Sequence, residues 1–210
     1  MPYPVSVIVE PSIGNRNRLT TAFRIVLAIP HLILVGGVGF SVFPGHRDNS
    51  TAIGGETGLL GAVVLFLAIV SWFTLVFAGT HIIGIRQLTN FYLRWRVRAL
   101  AYLMLLVDPY PPFGDAPYPA AVTTVDPAGR RDRLTIALRI VLAIPHFIVL
   151  AILVLIWWVT TVIAWFVIVI AGEYPAGLHS FGVGVLRWFI RVEAYLLLLV
   201  DDYPPFQLGE

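Results

Sequence analysis

Residues 18–31 read RLTTAFRIVLAIPH and residues 133–146 read RLTIALRIVLAIPH, so the two stretches differ at only two positions. A second matched pair reads LRWRVRALAYLMLLVDPYPPF at 93–113 and LRWFIRVEAYLLLLVDDYPPF at 186–206. A long segment that recurs along a chain indicates that the fold is built from repeated units. The sequence therefore predicts two homologous copies of one structural unit.

The copies divide the chain into a first repeat at 1–113, a linker at 114–130 and a second repeat at 131–210. They differ in length, because Pro30 and Gly79 are 49 positions apart whereas Pro145 and Gly172 are 27 apart. A polar, glycine-rich loop at 44–58 accounts for most of this difference and has no counterpart in the second copy. A short extended segment is expected at Val5–Val9.

The composition indicates a membrane environment. Hydrophobic residues make up 58% of the chain and charged residues 12%, whereas soluble domains average about 25% charged residues. Leu59–Ala78 and Ile140–Gly172 carry no formal charge. About 20 helical residues cross a bilayer core of about 30 Å, so each stretch is a candidate transmembrane segment.

We expect an all-α integral membrane protein made of two helical hairpins, with about four transmembrane helices. In the first copy the crossings are 25–43 and 59–83. The second block, Ile140–Gly172, crosses either twice, turning near Trp157–Trp158, or once as a long helix kinked at Pro145. Hairpins keep the arginine clusters at 16–24, 86–98, 130–139 and 187–191 on one side, which the positive-inside rule favours. Both termini are then cytoplasmic, and the LRW segments form interfacial amphipathic helices.

Three motifs carry a resemblance to a known family. They are RIVLAIPH, the combination of LRW with a downstream DxYPPF, and AGEYP at 171–175. Together they resemble the bacterial membrane-protein family known as domain of unknown function 4389, in two tandem copies. The first copy departs from the pattern, since Thr80-His81-Ile82 stands where the second has Glu173-Tyr174-Pro175. The resemblance implies membrane residence and a helical fold, and it implies no activity.

Arg24 and Arg139 occupy equivalent positions shortly before the two helix prolines. One hypothesis is a site for a lipid phosphate or a carboxylate. The other, which we favour from sequence, is snorkelling, in which the aliphatic stem lies among acyl chains and the guanidinium reaches the head groups.

A second recurring pair is Arg98 with Asp108, matched by Arg191 with Asp201. Ten residues span about 15 Å of helix, so the partners cannot meet within one straight helix. We expect them to pair between copies, Arg98 with Asp201 and Arg191 with Asp108. Glu193 is expected to join such a network through Arg96 or Arg98.

His31 and His146 are equivalent histidines in apolar surroundings. They are possible ligands of haem or a metal, although a metal site needs further ligands that the sequence does not place near them. A histidine after a helix proline can instead bind the backbone carbonyls that the proline frees. We therefore predict no cofactor and no metal.

The repeated DxYPPF segments at 108–113 and 201–206 suit either docking to a partner or ending a helix with an aromatic interfacial anchor. The candidates for contact with lipid or a protein partner recur in both copies: Arg24, Arg139, Trp95, Trp188, Arg98, Arg191, Tyr102, Tyr195, Asp108, Asp201, Tyr110, Tyr203, Phe113 and Phe206.

No motif of a known catalytic class occurs in the sequence, so we predict a protein that is not an enzyme. The favoured role is an accessory or scaffold subunit of a larger complex in the bacterial inner membrane. A small lipid-handling or transport protein is the alternative, although the repeats read as parallel rather than inverted. A haem-binding redox protein is a third possibility. The expected partners are the lipid bilayer and either another protein or a second copy, and nucleic acid is not expected.

Overall fold

A computed structural model of the chain describes residues 3–38, 58–114, 116–127 and 131–209. Helices account for 64% of these described residues. The first copy contains β1 (Val5–Val9), α1 (Arg18–Ala22), α2 (Arg24–Val35), α3 (Gly58–Phe73, extended by a π-helical turn at Thr74–Ala78) and α4 (Ile83–Leu103). The second contains β2 (Ala120–Thr124), α5 (Arg133–Ala137), α6 (Arg139–Ala171) and α7 (Ala176–Leu196). The strand expected at Val5–Val9 is confirmed.

Each copy enters its long helix in the same way. The side chains of Asn17 and Asp132 accept hydrogen bonds from the first-turn backbone of α1 and α5, as N-cap residues do. A single residue, Phe23 in the first copy and Leu138 in the second, separates each short helix from the helix that follows it. The long helix of each copy then starts on an arginine.

The second apolar block is a single helix. α6 runs for 33 residues through Pro145 and through Trp157–Trp158, so the hairpin that we predicted there is wrong. The physical reason is local, since residues 146–171 contain no glycine, proline, asparagine, aspartate or serine, which are the residues that favour turns. Trp157 is fully buried and lies against Gly182 of α7, where an added Cβ would approach its indole nitrogen to 2.7 Å.

The first copy contains the same long helix, interrupted. α2 has 12 residues and Gly58–Ala78 has 21, which together match the 33 of α6. Gly58 lies directly on the last turn of α2, because a Cβ there would be 2.4 Å from the backbone nitrogen of Gly36. Residues 36–57 are therefore an insertion between two halves of one helix. The crossing expected at 25–43 ends at Val35, and residues 39–43 and most of the polar loop lie outside the described residues.

The two copies are related by a pseudo-two-fold axis. Equivalent residues are 115 positions apart before the insertion and 93 apart after it. β1 and β2 pair antiparallel with Val7 opposite its own equivalent, Val122. At the crossing of α4 and α7, the Arg96 guanidinium lies 5.6 Å from the ring of its equivalent, Phe189. The axis passes through both contacts.

The long helices of the two copies are antiparallel. Trp72, near the end of the first long helix, donates to the carbonyl of Ile136, which precedes α6. Its equivalent, Trp165, donates to the carbonyl of Thr21, which precedes α2. Each long helix therefore ends where the other begins.

The central helices α4 and α7 form the core. Buried residues run almost without a break through the second half of α4 and through most of α7, so the prediction that these segments are amphipathic is wrong, and their position at the membrane interface stays a prediction. Their arginines can be buried because backbone carbonyls and carboxylates inside the protein bind them. The ribbon of β1 and β2 packs on one side of this pair, where Asn90 bonds to Thr124, and the long helices pack on another side, where Trp95 bonds to His31. The side chains of residues 90 and 95 point about 140° apart around the axis of α4. The ribbon and the long helices therefore lie on different sides of the central helices.

The long helices bury one narrow stripe each. In α6 the stripe recurs every three or four residues from Arg139 to Ile168, and the remaining faces expose isoleucine, leucine, valine and phenylalanine. Gly58–Ala78 and α6 are the two described helices that are long and apolar enough to cross a membrane, with only 28% and 22% of their apolar windows buried. The described residues thus show two such helices rather than four.

One ion pair breaks the symmetry of the repeats. Arg96 donates to the carbonyls of Val35 and Gly37, which are left without helical partners where α2 ends. Its Nε lies 2.8 Å from the carboxylate of Glu193. The equivalent positions are Phe189 and Leu100. Because α6 is continuous, its own amides bind the matching carbonyls and no cation is needed there.

We expect Arg96→Phe to destabilise the protein by about 3–5 kcal/mol, because it leaves the buried Glu193 carboxylate without its cation. Adding Glu193→Leu should recover much of this loss by recreating the Phe–Leu pair of the other copy. Deleting residues 36–57 in that double variant should recover the rest. Denaturant unfolding in a mild detergent measures each step, and additive effects of the two substitutions would contradict the pairing.

Candidate functional site

The clearest repeated arrangement of charged residues places two arginines on one aspartate. Asp108 of the first copy lies 2.7 Å from Arg16 Nε and 2.8 Å from Arg24 Nη2. In the second copy, Asp201 pairs with Arg131, and Arg139 Nη2 lies 2.8 Å from the same carboxylate. We call these the arginine–aspartate clusters. Each joins the start of a long helix to the end of a central helix.

A tight turn creates the positions that the arginines fill. Leu105 and Leu198 have φ values of 63° and 64°, in the left-handed region, and they end α4 and α7. Several carbonyls at a helix end have no amide partner in the helix. Arg16 donates to Leu105 O at 2.6 Å, and Arg24 donates to Val107 O at 2.9 Å. The second copy repeats these bonds from Arg131 to Leu198 and from Arg139 to Val200.

The first-turn arginines are also enclosed by tyrosine rings. The guanidinium carbon of Arg24 lies 4.1 Å from the centre of the Tyr102 ring, and that of Arg139 lies 4.3 Å from Tyr195. Arg24 and Arg139 are only 1% and 2% exposed. They do not snorkel toward a head group, as the favoured sequence hypothesis held, because a carboxylate of their own repeat binds them.

The pairing that we expected between copies is wrong. Asp201 is bound by Arg131 and Arg139 of its own copy, and Asp108 by Arg16 and Arg24. Arg98 instead donates to Gly114 O, and Arg191 donates to Gly209 O, so both hold the segment that follows DxYPPF. The link between copies that does form is Arg96 with Glu193, which the sequence analysis named as one of two possibilities.

Each arginine–aspartate cluster contains more positive than negative charge. Each sets two guanidinium groups against one carboxylate and so retains one positive charge. Burial alone would raise the pKa of Asp201, but the hydrogen bonds and charges of Arg131 and Arg139 outweigh it and lower the pKa below the ordinary value. Asp201 therefore stays ionised throughout the neutral and mildly acidic range.

The two histidines lie in matching aromatic clusters. Trp95 Nε1 donates to His31 Nδ1 at 2.9 Å, and Trp188 Nε1 donates to His146 Nδ1 at 3.1 Å. The rings of Phe113 and Phe206 stack on them with centroid distances of 4.6 and 4.0 Å. Because Nδ1 accepts a hydrogen bond, each neutral imidazole carries its proton on Nε2.

This geometry does not bring the histidines together as a ligand pair. Each contacts the tryptophan, tyrosine and phenylalanine of its own copy. The part of the chain that the structure describes contains no group of three or more histidine, cysteine, aspartate or glutamate side chains that could hold a metal ion.

The DxYPPF motif has a structural role on one side and an open surface on the other. Its aspartate anchors the arginines, and its phenylalanine covers the histidine. Of the fourteen candidate contact residues, four have side chains that remain widely exposed: Tyr110, Phe113, Tyr203 and Phe206. The candidates Arg98, Arg191, Tyr102, Tyr195 and Trp188 are buried, and Trp95 is half-buried, so we withdraw them as direct contacts.

Sequence reasoning missed Arg16 and Arg131. These residues lie 115 positions apart, which is the same offset as Arg24 and Arg139, so the repeat itself contained the signal. Tyr3 and Tyr118 are another pair at the same offset. They donate to Asp202 O and Pro109 O, so each ties its own strand to the DxYPPF segment of the other copy.

We expect the stability of the protein to depend on pH through Asp201. Its folded-state pKa lies below the ordinary value of 3.8, so its ion pairs stabilise fully above that value and are lost as the pH falls through it. The contribution of Asp201, measured as the difference in the free energy of unfolding in detergent between the wild type and Asp201→Asn, should stay level from pH 7 to pH 5 and shrink below pH 4. Asp201→Asn should remove about 3 kcal/mol at pH 7, at the lower end of the range for a broken buried pair because Asp201 is 27% exposed. This substitution should also reduce the loss of stability below pH 4. An unchanged loss would contradict its assignment to Asp201.

Comparison with known proteins agrees with this two-copy arrangement. No curated protein and no solved structure matches the chain. The model of one family matches two segments, residues 56–114 and 133–207, which contain the central helices and both DxYPPF motifs. The chain therefore belongs to the family described as Domain of unknown function (DUF4389), and it carries two tandem copies of that domain.

Proposed function

We propose that this protein is a non-catalytic membrane protein that serves as an accessory or scaffold subunit of a larger complex in the bacterial inner membrane. The observation that carries the proposal is the apolar surface of the two long helices. In α6, large apolar side chains are exposed along the whole helix, among them Ile140, Leu155 and Ile170. A contiguous apolar surface of this length is typical of contact with lipid or with another protein.

The exposed face is long as well as apolar. A core helix of a soluble protein buries most of its residues, whereas about three quarters of the residues in the apolar window of each long helix are exposed or half-buried. Removing such surface from water stabilises by about 25 cal/mol per Å². Acyl chains provide this environment without requiring any polar partner, so we assign these faces to lipid.

The scaffold role rests on how the polar residues are used. The buried arginines, both cluster aspartates and Glu193 are engaged in bonds that hold helix ends together. The surface that remains for recognition is aromatic, through Tyr110 and Phe113 in one copy and Tyr203 and Phe206 in the other. Exposed tyrosine and phenylalanine are enriched at protein interfaces. We therefore assign the two DxYPPF segments as contacts with a partner protein. We also place both chain termini in the cytoplasm.

A lipid-handling role is the second candidate. The observation that favours it is the excess positive charge of each arginine–aspartate cluster beside exposed aromatic residues, an arrangement suited to an anionic head group. The two roles differ in what remains bound when the protein leaves the membrane.

We expect the tagged protein, extracted from its native membrane in a mild detergent, to retain another protein at a fixed stoichiometry measured by mass spectrometry. Phe113→Ala with Phe206→Ala should release that protein. Ile8→Ala, at an exposed position of the strand ribbon, is the matched control and should not. Recovery of the chain alone, or with tightly held lipid only, would overturn the accessory role and favour lipid handling.

The membrane assignment has its own test. Leu155→Asp, on the exposed face of α6, should weaken flotation with phosphatidylethanolamine–phosphatidylglycerol vesicles, because a charge in the apolar region costs about 3 kcal/mol. Val125→Asp, at an equally exposed residue beside the strand ribbon, is the control and should float as the wild type does. Equal flotation of all three proteins would contradict lipid contact by α6.

A further inference from the structure

We propose that the protein lies within one leaflet of the bilayer, with its pseudo-two-fold axis along the membrane normal and both long helices parallel to the membrane plane. This inference rests on the proposed lipid contact and specifies how that contact is made. The long helices are then embedded, the central helices lie at head-group level and the strand ribbon is in water.

The first argument comes from the symmetry axis. Because the long helices are antiparallel and exchange under the pseudo-two-fold operation, the axis is perpendicular to them. If they crossed the bilayer, the axis would lie in its midplane. The pairing of Val7 with Val122 is on the axis, so the ribbon would then lie at the depth of the acyl-chain ends.

The ribbon is unsuited to that depth. It has only two strands and therefore two open edges, and open sheet edges do not occur in the hydrocarbon region, where no water satisfies backbone groups. Its outer face exposes Ser6 and Thr123 together with Ile8 and Ala121, and Glu10 is exposed at its end. In water, the open edges and the polar side chains carry no penalty.

The path of the chain gives a second argument. Asp108 lies at one end of the long helices, beside Arg16, whose amide bonds to Gly172 O at the end of α6. Further along the chain, Arg131 pairs with Asp201, which lies at the opposite end of the long helices. The segment between Asp108 and Arg131 runs through β2, so transmembrane long helices would require an extended segment to cross the bilayer. Nothing has to cross when the helices lie flat.

Charge placement is the third argument. The two arginine–aspartate clusters lie at opposite ends of the long helices, and each retains one positive charge. A transmembrane arrangement puts one cluster outside the cell, against the preference of basic residues for the cytoplasmic side. An in-plane arrangement places both at the cytoplasmic surface, where anionic head groups attract them.

The dimensions agree with an in-plane arrangement. A 33-residue helix such as α6 is about 50 Å long, and it is uncharged from Ile140 onward. The bilayer core is about 30 Å thick, so an upright helix would carry apolar side chains well into the head groups on both sides. A helix parallel to the surface has no such length limit and buries its apolar face about 5–10 Å deep.

The chain has no cysteine, so single spin labels can be placed at will. We would label Ile144→Cys, Leu155→Cys and Phe166→Cys, which share the face of α6 opposite its buried stripe at spacings of about 16 Å. Ser6→Cys reports on the ribbon. The full-length variants are reconstituted in phosphatidylethanolamine–phosphatidylglycerol vesicles. Label depth is then measured from the competing relaxation by oxygen and a water-soluble nickel complex, and a melting curve like that of the wild type confirms the fold.

The in-plane arrangement predicts three similar depths along α6 and a ribbon label that is fully accessible to the nickel complex. A transmembrane arrangement predicts a deep label at 155, shallow labels at 144 and 166, and a protected ribbon, and this result would overturn the inference while leaving lipid contact intact. Labels on α6 that are all accessible to nickel would instead overturn the proposed lipid contact, and the inference with it.

Discussion

The fold depends on the neutralisation of buried arginines at the ends of the central helices. The left-handed turns at Leu105 and Leu198 leave carbonyls without amide partners. Arg24 and Arg139, the first residues of the long helices, bind those carbonyls and the adjacent aspartate. A buried guanidinium without a carboxylate would cost several kcal/mol. This requirement fixes where each central helix ends and where the long helix that binds that end begins.

The same rule explains where the two copies differ. The insertion at 36–57 ends α2 early and creates free carbonyls in the middle of the protein. Arg96 binds them, and Glu193 from the other copy balances the charge. Where the helix is continuous, the equivalent positions hold Phe189 and Leu100, which carry no charge. An alteration in one copy is therefore compensated by one residue from each copy, at the point where the symmetry axis passes between them.

Much of this arrangement could be predicted from the sequence, and the failures have physical causes. The duplication, the strand at Val5–Val9 and the apolar character of 59–78 and 140–172 follow from pattern and composition. The hairpin prediction failed because uncharged length shows that a segment avoids water and does not show how it is oriented. The pairing of Arg98 with Asp201 failed because identical repeats allow a contact within one copy or between two, and spacing alone does not choose. The Trp72 and Trp165 bonds have no sequence signal, since they depend on how the copies meet.

The orientation of the repeats gives the molecule two unlike faces. A two-fold axis makes the two ends of the long helices equivalent, so polarity cannot differ strongly between those ends. The axis does not relate the two faces of the molecule through which it passes, so these faces can differ in polarity. The strands expose Ser6 and Thr123 on one face, and the helices expose Leu155 and Phe166 on the other. A bilayer-crossing protein of this symmetry would have similar polar ends and an apolar waist. This chain instead has one face that carries a strand ribbon with open edges and another face of exposed apolar helices, which is the distribution expected of a protein that meets the membrane from one side.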